Sequence, residues 1–147
     1  MAGDGQPLTA RADDGVALTV RHFPAELPSS SRPTIVFIHG WSQGQLVWDE
    51  RIARFAGKHP LVSYDLRGHG GSSKPGRREA YAERFRHARD LATLLAATET
   101  ERFVPVGWSF GAIIASDAAR YFGPRRVCGL VLVAGPSSSG RSDSMTT

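Results

Sequence analysis

The sequence predicts an α/β fold: a mainly parallel sheet with helices on both faces, entered through an N-terminal β-hairpin. Three observations predict it. Two β-favouring runs flank a turn dipeptide near the N-terminus. Four short apolar runs follow, continuous rather than alternating, as strands covered on both faces are. Between them lie stretches whose apolar residues recur at helical spacing.

The hairpin comes from Thr9–Arg11 and Val16–His22 on either side of Asp14-Gly15. Pro24 to Pro33 reads as a Pro/Ser-rich connector. Thr34–Ile38 is the first continuous apolar strand and stops at His39-Gly40. Val47, Trp48, Ile52, Phe55 and Ala56 then form one helical stripe. Leu61–Tyr64 is the next strand. It opens into Asp65-Leu66-Arg67-Gly68-His69-Gly70-Gly71-Ser72, a loop of turn formers.

Glu79 to Ala97 is expected as one helix with Tyr81, Phe85, Ala88, Leu91, Leu94 and Leu95 on its inner face. Arg102–Val106 is the fifth strand. Pro105 inside it lacks the N–H that a central strand uses, so a bulge or a break in the ladder is expected there. Gly111 to Tyr121 forms a small-residue helix with Ile113, Ile114 and Ala118 inward, stopped by Gly123-Pro124. Val127–Val133 is the sixth strand, apolar on both faces as an internal strand is. Residues 1–135 read as the folded portion, and 136–147 as a polar, mobile tail.

The composition narrows the function. Net charge is +4, and the densest basic stretch, Arg77 to Arg89, also carries Glu79 and Glu83 in a helical pattern. It reads as a solvated helix face and not as a nucleic-acid surface. The single cysteine, Cys128, sits in an apolar run and is expected to be a buried thiol; one cysteine allows no internal disulfide and no CxxC-type metal set. Residues 1–15 hold no apolar stretch of the signal-peptide kind, and no run approaches the ~20 apolar residues that span a bilayer. The expectation is a cytoplasmic protein with no membrane or nucleic-acid partner, no metal and no cofactor.

Chemistry concentrates in Gly107-Trp108-Ser109-Phe110-Gly111, a G-x-S-x-G pattern between an expected strand and an expected helix. A serine on so sharp a turn projects its Oγ above the sheet from a strained backbone. Strand and helix nearly touch around it, which leaves no room for side chains at Gly107 and Gly111. The free N–H groups at the helix start face the reacting oxygen. The Phe110 N–H is therefore a candidate oxyanion donor, and the Trp41 N–H, in the loop after the first apolar strand, is the candidate second donor. Trp41, Trp108 and Phe110 are candidate pocket-lining residues. Gly68 to Lys74 imitates a phosphate-binding loop, but no Gly immediately precedes Lys74 and Pro75 follows it where a Ser or Thr should stand.

His39-Gly40-Trp41, Asp65-Leu66-Arg67-Gly68-His69-Gly70-Gly71-Ser72 and Gly107-Trp108-Ser109-Phe110-Gly111 occur in an order and spacing that resemble the α/β-hydrolase superfamily over roughly residues 7–135. The nearest flavour is similar to small esterases and cofactor-free haloperoxidase-like hydrolases. The resemblance implies hydrolysis of carboxylic esters or related small acyl substrates through an acyl-Ser109 intermediate. It implies structural roles for His39 and His69, and a turn braced by Asp65 and Arg67. Ser109 stands where haloalkane dehalogenases and epoxide hydrolases carry Asp.

The resemblance also implies an acid and then a histidine after the serine. All five histidines (His22, His39, His59, His69 and His87) precede Ser109, and Asp143 reads as a tail residue. The chain is thus expected to be the N-terminal portion of a truncated α/β-hydrolase fold, of doubtful catalytic competence on its own. The alternative is a non-catalytic hydrolase-like fragment or binding module, a pseudoenzyme. An apolar sixth strand left at the sheet edge makes self-association through that edge the expected partnership.

Overall fold

The computed structural model describes residues 3–26, 32–83 and 85–134. Half of the Pro24–Pro33 connector, the 136–147 tail and Asp143 within it lie outside the described residues.

Six strands form one sheet: β1 (Gln6–Arg11), β2 (Ala17–Phe23), β3 (Thr34–Ile38), β4 (Leu61–Tyr64), β5 (Phe103–Trp108) and β6 (Val131–Val133), in the order β1-β2-β4-β3-β5-β6. β1 and β2 make the antiparallel hairpin, and β2 adds antiparallel to β4. β4, β3, β5 and β6 run parallel. A Gln45–Trp48 3-10 turn leads into α1 (Asp49–Phe55); α2 (Glu79–Ala82), α3 (Arg86–Ala97) and α4 (Phe110–Phe122) follow.

Alternation along β3 assigns the two faces. Val36 and Ile38 join Leu91, Leu94 and Leu95 of α3 and Ile114, Ala115 and Ala118 of α4 in the larger core. Phe37 points the other way and packs with Phe23, Trp48, Ile52 and Leu61 under α1. One face therefore carries α3 and α4 and the other α1, so helices lie on both faces as the sequence predicts.

Several expectations need correction. The helix expected over Glu79–Ala97 is broken: α2 ends at Ala82, and Phe85 takes φ 60° before α3 begins. Phe85 then packs its ring on Tyr121, while the Tyr81 hydroxyl donates to the Pro75 carbonyl at 2.8 Å. The basic segment is not simply solvated. Arg86 is 3% exposed and pairs with Asp13, Asp90 and Glu83. Of the apolar stripe Val47, Trp48, Ile52, Phe55 and Ala56, only Trp48 and Ile52 are buried. Val47 and Phe55 are each 39% exposed, because the sheet face beside them is open.

The sixth strand is short, and the reason lies opposite Pro105. Phe103 bridges Val127, and ladder pairing resumes at Val106 with Val131. The β6 side thus carries one more residue than the β5 side between those pairings, a bulge. The Phe103 N–H donates to the Arg126 carbonyl at 2.8 Å, so by alternation the nitrogen of Pro105 also faces β6, where it has no hydrogen to give. The chain leaves the ladder there, and Cys128, expected to be buried, is exposed. Ile113 is half-buried, and Gly111, Ala112, Ile114, Ala115, Ser116 and Ala118 form the inner face of α4.

Candidate active site

Ser109 sits between β5 and α4 with φ 56° and ψ −117°, a conformation that costs an L-residue strain. It is exposed. Its own N–H donates to the Val133 carbonyl at 2.9 Å, and its carbonyl accepts the Ala112 N–H at 2.9 Å. A Cβ on Gly107 would overlap the Gly111 carbonyl and lie 2.7 Å from the Ala112 nitrogen. One on Gly111 would overlap the Ile38 carbonyl and lie 2.7 Å from the His39 oxygen. The two glycines are what lets β5, α4 and the end of β3 meet.

The loop after β3 arrives at the same place. A Cβ on Gly40 would stand 3.2 Å from the Trp108 carbonyl and 3.3 Å from the Ser109 Cβ. Trp41 follows, 65% exposed, edge-on to Phe110 at 5.8 Å and to His69 at 5.3 Å. Among the described residues, no acceptor engages the backbone N–H of Trp41 or Phe110. Trp108 lies apart from them. Its side chain packs with the cluster under α1, on the opposite side of the sheet from α4.

The surrounding histidines are locked. His39 is fully buried; its Nε2 accepts the Leu66 N–H at 3.0 Å, so its Nδ1 carries the proton and donates to the Gly40 carbonyl at 2.8 Å. Burial holds its pKa below the ordinary value. His69 likewise accepts the Ser42 N–H at Nε2, 3.1 Å, and donates from Nδ1 to the Arg67 carbonyl, 3.0 Å. Each ring ties the β3 loop to the β4 loop. Asp65 accepts the N–H groups of Gln45 at 2.9 Å and Gly71 at 3.0 Å. Arg67 is buried in a fork with Asp90, at 2.7 and 2.8 Å, and reaches Asp14 at 2.9 Å.

Sequence reasoning missed two residues here. His87, on α3, sets its ring edge-on to Phe110 at 5.4 Å, and its Nδ1 is sealed with no partner among the described residues. Burial, and then the positive charge of Arg67, pushes its pKa down to about 4. It lay in a basic, helical stretch and carried no motif. Gln45 is buried and links Arg21, Ser63 and Asp65. Nothing in its local sequence signals that role.

Among the described residues, no group of three or more His, Cys, Asp or Glu is placed to hold a metal ion. No helix among them is long and apolar enough to cross a membrane.

Residues 33–146 match the family model for the alpha/beta hydrolase fold. The chain belongs to the α/β-hydrolase family. It is 35% identical over 100 residues to the pimeloyl-[acyl-carrier protein] methyl ester esterase of Pectobacterium carotovorum, covering 68% of this chain and 36% of that protein. It is 35% identical over 117 residues to epoxide hydrolase A of Mycobacterium tuberculosis, covering 78% of this chain and 34% of that one. The crystal structure of an esterase from Rhodococcus sp. ECU1013 superposes with a TM-score of 0.79 at 31% identity, over 97% of this chain and 49% of its own. The α/β-hydrolase chain described here thus spans about a third of these curated relatives and about half of the solved esterase.

Proposed function

We propose that the site serves the hydrolysis of carboxylic esters or related small acyl substrates through Ser109. The single observation that carries this reading is the strained, exposed Ser109 between two glycines that admit no Cβ. The esterases among the relatives agree with it. Ser109 Oγ attacks the acyl carbon, the N–H groups of Trp41 and Phe110 hold the oxyanion of the tetrahedral intermediate, and its collapse expels the alcohol, which takes up the proton lost by Ser109, and leaves the acyl-serine. Water then releases the acid. Trp41 and Phe110 flank the acyl group.

The attack needs a base to take the Ser109 proton. His39 and His69 have both ring nitrogens engaged, and among the described residues no histidine hydrogen-bonds Ser109. That observation favours a second reading, a non-catalytic hydrolase-like module. An oxyanion hole without a base retains only residual catalysis, roughly 10³–10⁴-fold over water in serine proteases.

The test is intact mass after exposure to a fluorophosphonate, beside a Ser109→Ala control. A slow single adduct, absent in the control, is the expected result. No adduct on a chain shown to be folded would give the second reading the field.

A further inference from the structure

Three imidazoles stand around the Ser109 turn. His39 and His69 have both nitrogens engaged, whereas His87 makes no hydrogen bond among the described residues. α3 brings the His87 ring perpendicular to that of Phe110, and Trp41 stands perpendicular to the same ring at 5.8 Å. The Phe110 ring thus links the imidazole to the Trp41 loop, and its own residue adjoins Ser109. The two nitrogens of His87 differ. Nδ1 is sealed without a partner, whereas Nε2 is not sealed and the residue as a whole is half-buried. A proton on Nδ1 would be a buried donor with no acceptor, so the neutral ring carries it on Nε2, the open nitrogen. Burial, and then the Arg67 guanidinium, keep the ring neutral, with its pKa down to about 4. So weak a base does not take the proton of a serine at neutral pH, but the neutral ring is a sound N–H donor. A phenyl ring would pack on Phe110 without burying an unpaired nitrogen, so packing alone does not account for an imidazole there.

We propose that His87 sets the acyl-group specificity of this site by donating a hydrogen bond from Nε2 to an oxygen carried on the acyl chain, so that hydroxyacyl and oxoacyl esters are bound in preference to plain alkyl ones. This rests on the reading of the Ser109 turn as an acyl-binding site. The Phe110 ring offers the chain an apolar face, and the Nε2–H supplies a donor beside it. A lone donor selects for an acceptor, because a plain alkyl chain laid over it strips the N–H of water and gives nothing back. Charge is not what this residue reads: the ring is neutral at pH 7, so a carboxylate on the chain gains no ion pair from it.

The test uses the Ser109→Ala chain, which forms no acyl-enzyme, titrated at pH 7 with methyl hexanoate and with its β-hydroxy, β-oxo and γ-oxo derivatives. Binding is followed through the ring nitrogens of isotope-labelled histidine by NMR. The best-matched oxygenated ester is expected to bind about tenfold tighter than methyl hexanoate and to shift the Nε2 signal of His87. Adding His87→Phe, which keeps a ring on Phe110, should bring the esters to within about twofold of one another while Tm holds. Adding His87→Gln, which keeps an N–H donor, should restore part of the preference. Equal affinity for all the esters, a preference that survives His87→Phe, or binding that leaves the Nε2 signal unmoved would each overturn the proposal. Binding of none of the esters to a folded chain would overturn it together with the acyl-site reading. A preference that stands while the parent chain takes up no fluorophosphonate would remove catalysis alone and leave the role of His87 in place.

Discussion

Gly107 and Gly111 face each other across the Ser109 turn with no space for a Cβ between them: one on Gly107 would overlap the Gly111 carbonyl. Neither atom is at the end of a flexible side chain, so the backbone itself must give. Gly107→Ala is expected to cost about 3 kcal/mol and to lower Tm by roughly 10 °C. Gly76→Ala, where nothing lies within 4 Å, should change stability by less than about 0.5 kcal/mol. Thermal unfolding of the pair measures the difference.

Gly40→Ala tests the other side of the turn. The new methyl would press on the Trp108 carbonyl and the Ser109 Cβ, each just over 3 Å away, so the loop carrying Trp41 must retreat by a few tenths of an ångström. Loss of one oxyanion donor costs about 10²–10³ in rate in a serine protease. Fluorophosphonate labelling of Ser109 is expected to slow by roughly tenfold or more, with Tm nearly unchanged.

Asp90 is 1% exposed and holds two buried guanidiniums, Arg67 at 2.7 Å and Arg86 at 3.0 Å. Asp90→Ala removes the buried carboxylate that both share, leaving Arg67 with Asp14 and Arg86 with Asp13 and Glu83, and is expected to cost about 3 kcal/mol in denaturant unfolding. Glu50→Ala removes an exposed pair with Arg51 and should cost less than about 1 kcal/mol.

Acid sensitivity is expected to trace in part to His87. Its pKa is about 4 in the folded chain against an ordinary 6.5. Between those values the unfolded chain binds more protons, so stability falls as pH drops from about 6.5 to about 4. The full loss is on the order of 3 kcal/mol. His87→Gln should flatten that part of the stability-against-pH curve; a variant curve parallel to the parent's would show that His87 does not titrate in this window.

Asp14 acts in the same direction in a more acidic window. Its hydrogen bonds from Arg67 hold its pKa at about 2, below the ordinary 3.8. The stability it contributes is present above 3.8 and is lost as pH falls through 2. The difference between the parent and Asp14→Asn should therefore be roughly 1–2 kcal/mol at pH 7, allowing for the partial exposure of Asp14. It should vanish near pH 2.

The parts of the fold that are legible in the sequence are those set by local chemistry. Asp14-Gly15 announces its hairpin, and Thr34–Ile38 and Leu61–Tyr64 are strands with the expected bounds. The surroundings of Ser109 are legible for the same reason, since Gly107 and Gly111 are two residues away on either side. What fails depends on contacts distant in sequence. Arg86 is buried because Asp13, some seventy residues earlier, comes to meet it. Cys128 is exposed because Pro105 in another strand ends the ladder there. Gln45 and His87 gain their places through Asp65 and Phe110, neither of which is a neighbour along the chain.

The extra residue opposite Pro105 works as a key that sets β6 in one register. Slipping β6 by a single position to remove the bulge would gain no hydrogen bond from a proline. It would also turn Leu132 out of the larger core and bring Val131 and Val133 in. It would carry the Val133 carbonyl away from the Ser109 N–H as well. Ser109 is thus indexed by an imino acid four residues before it.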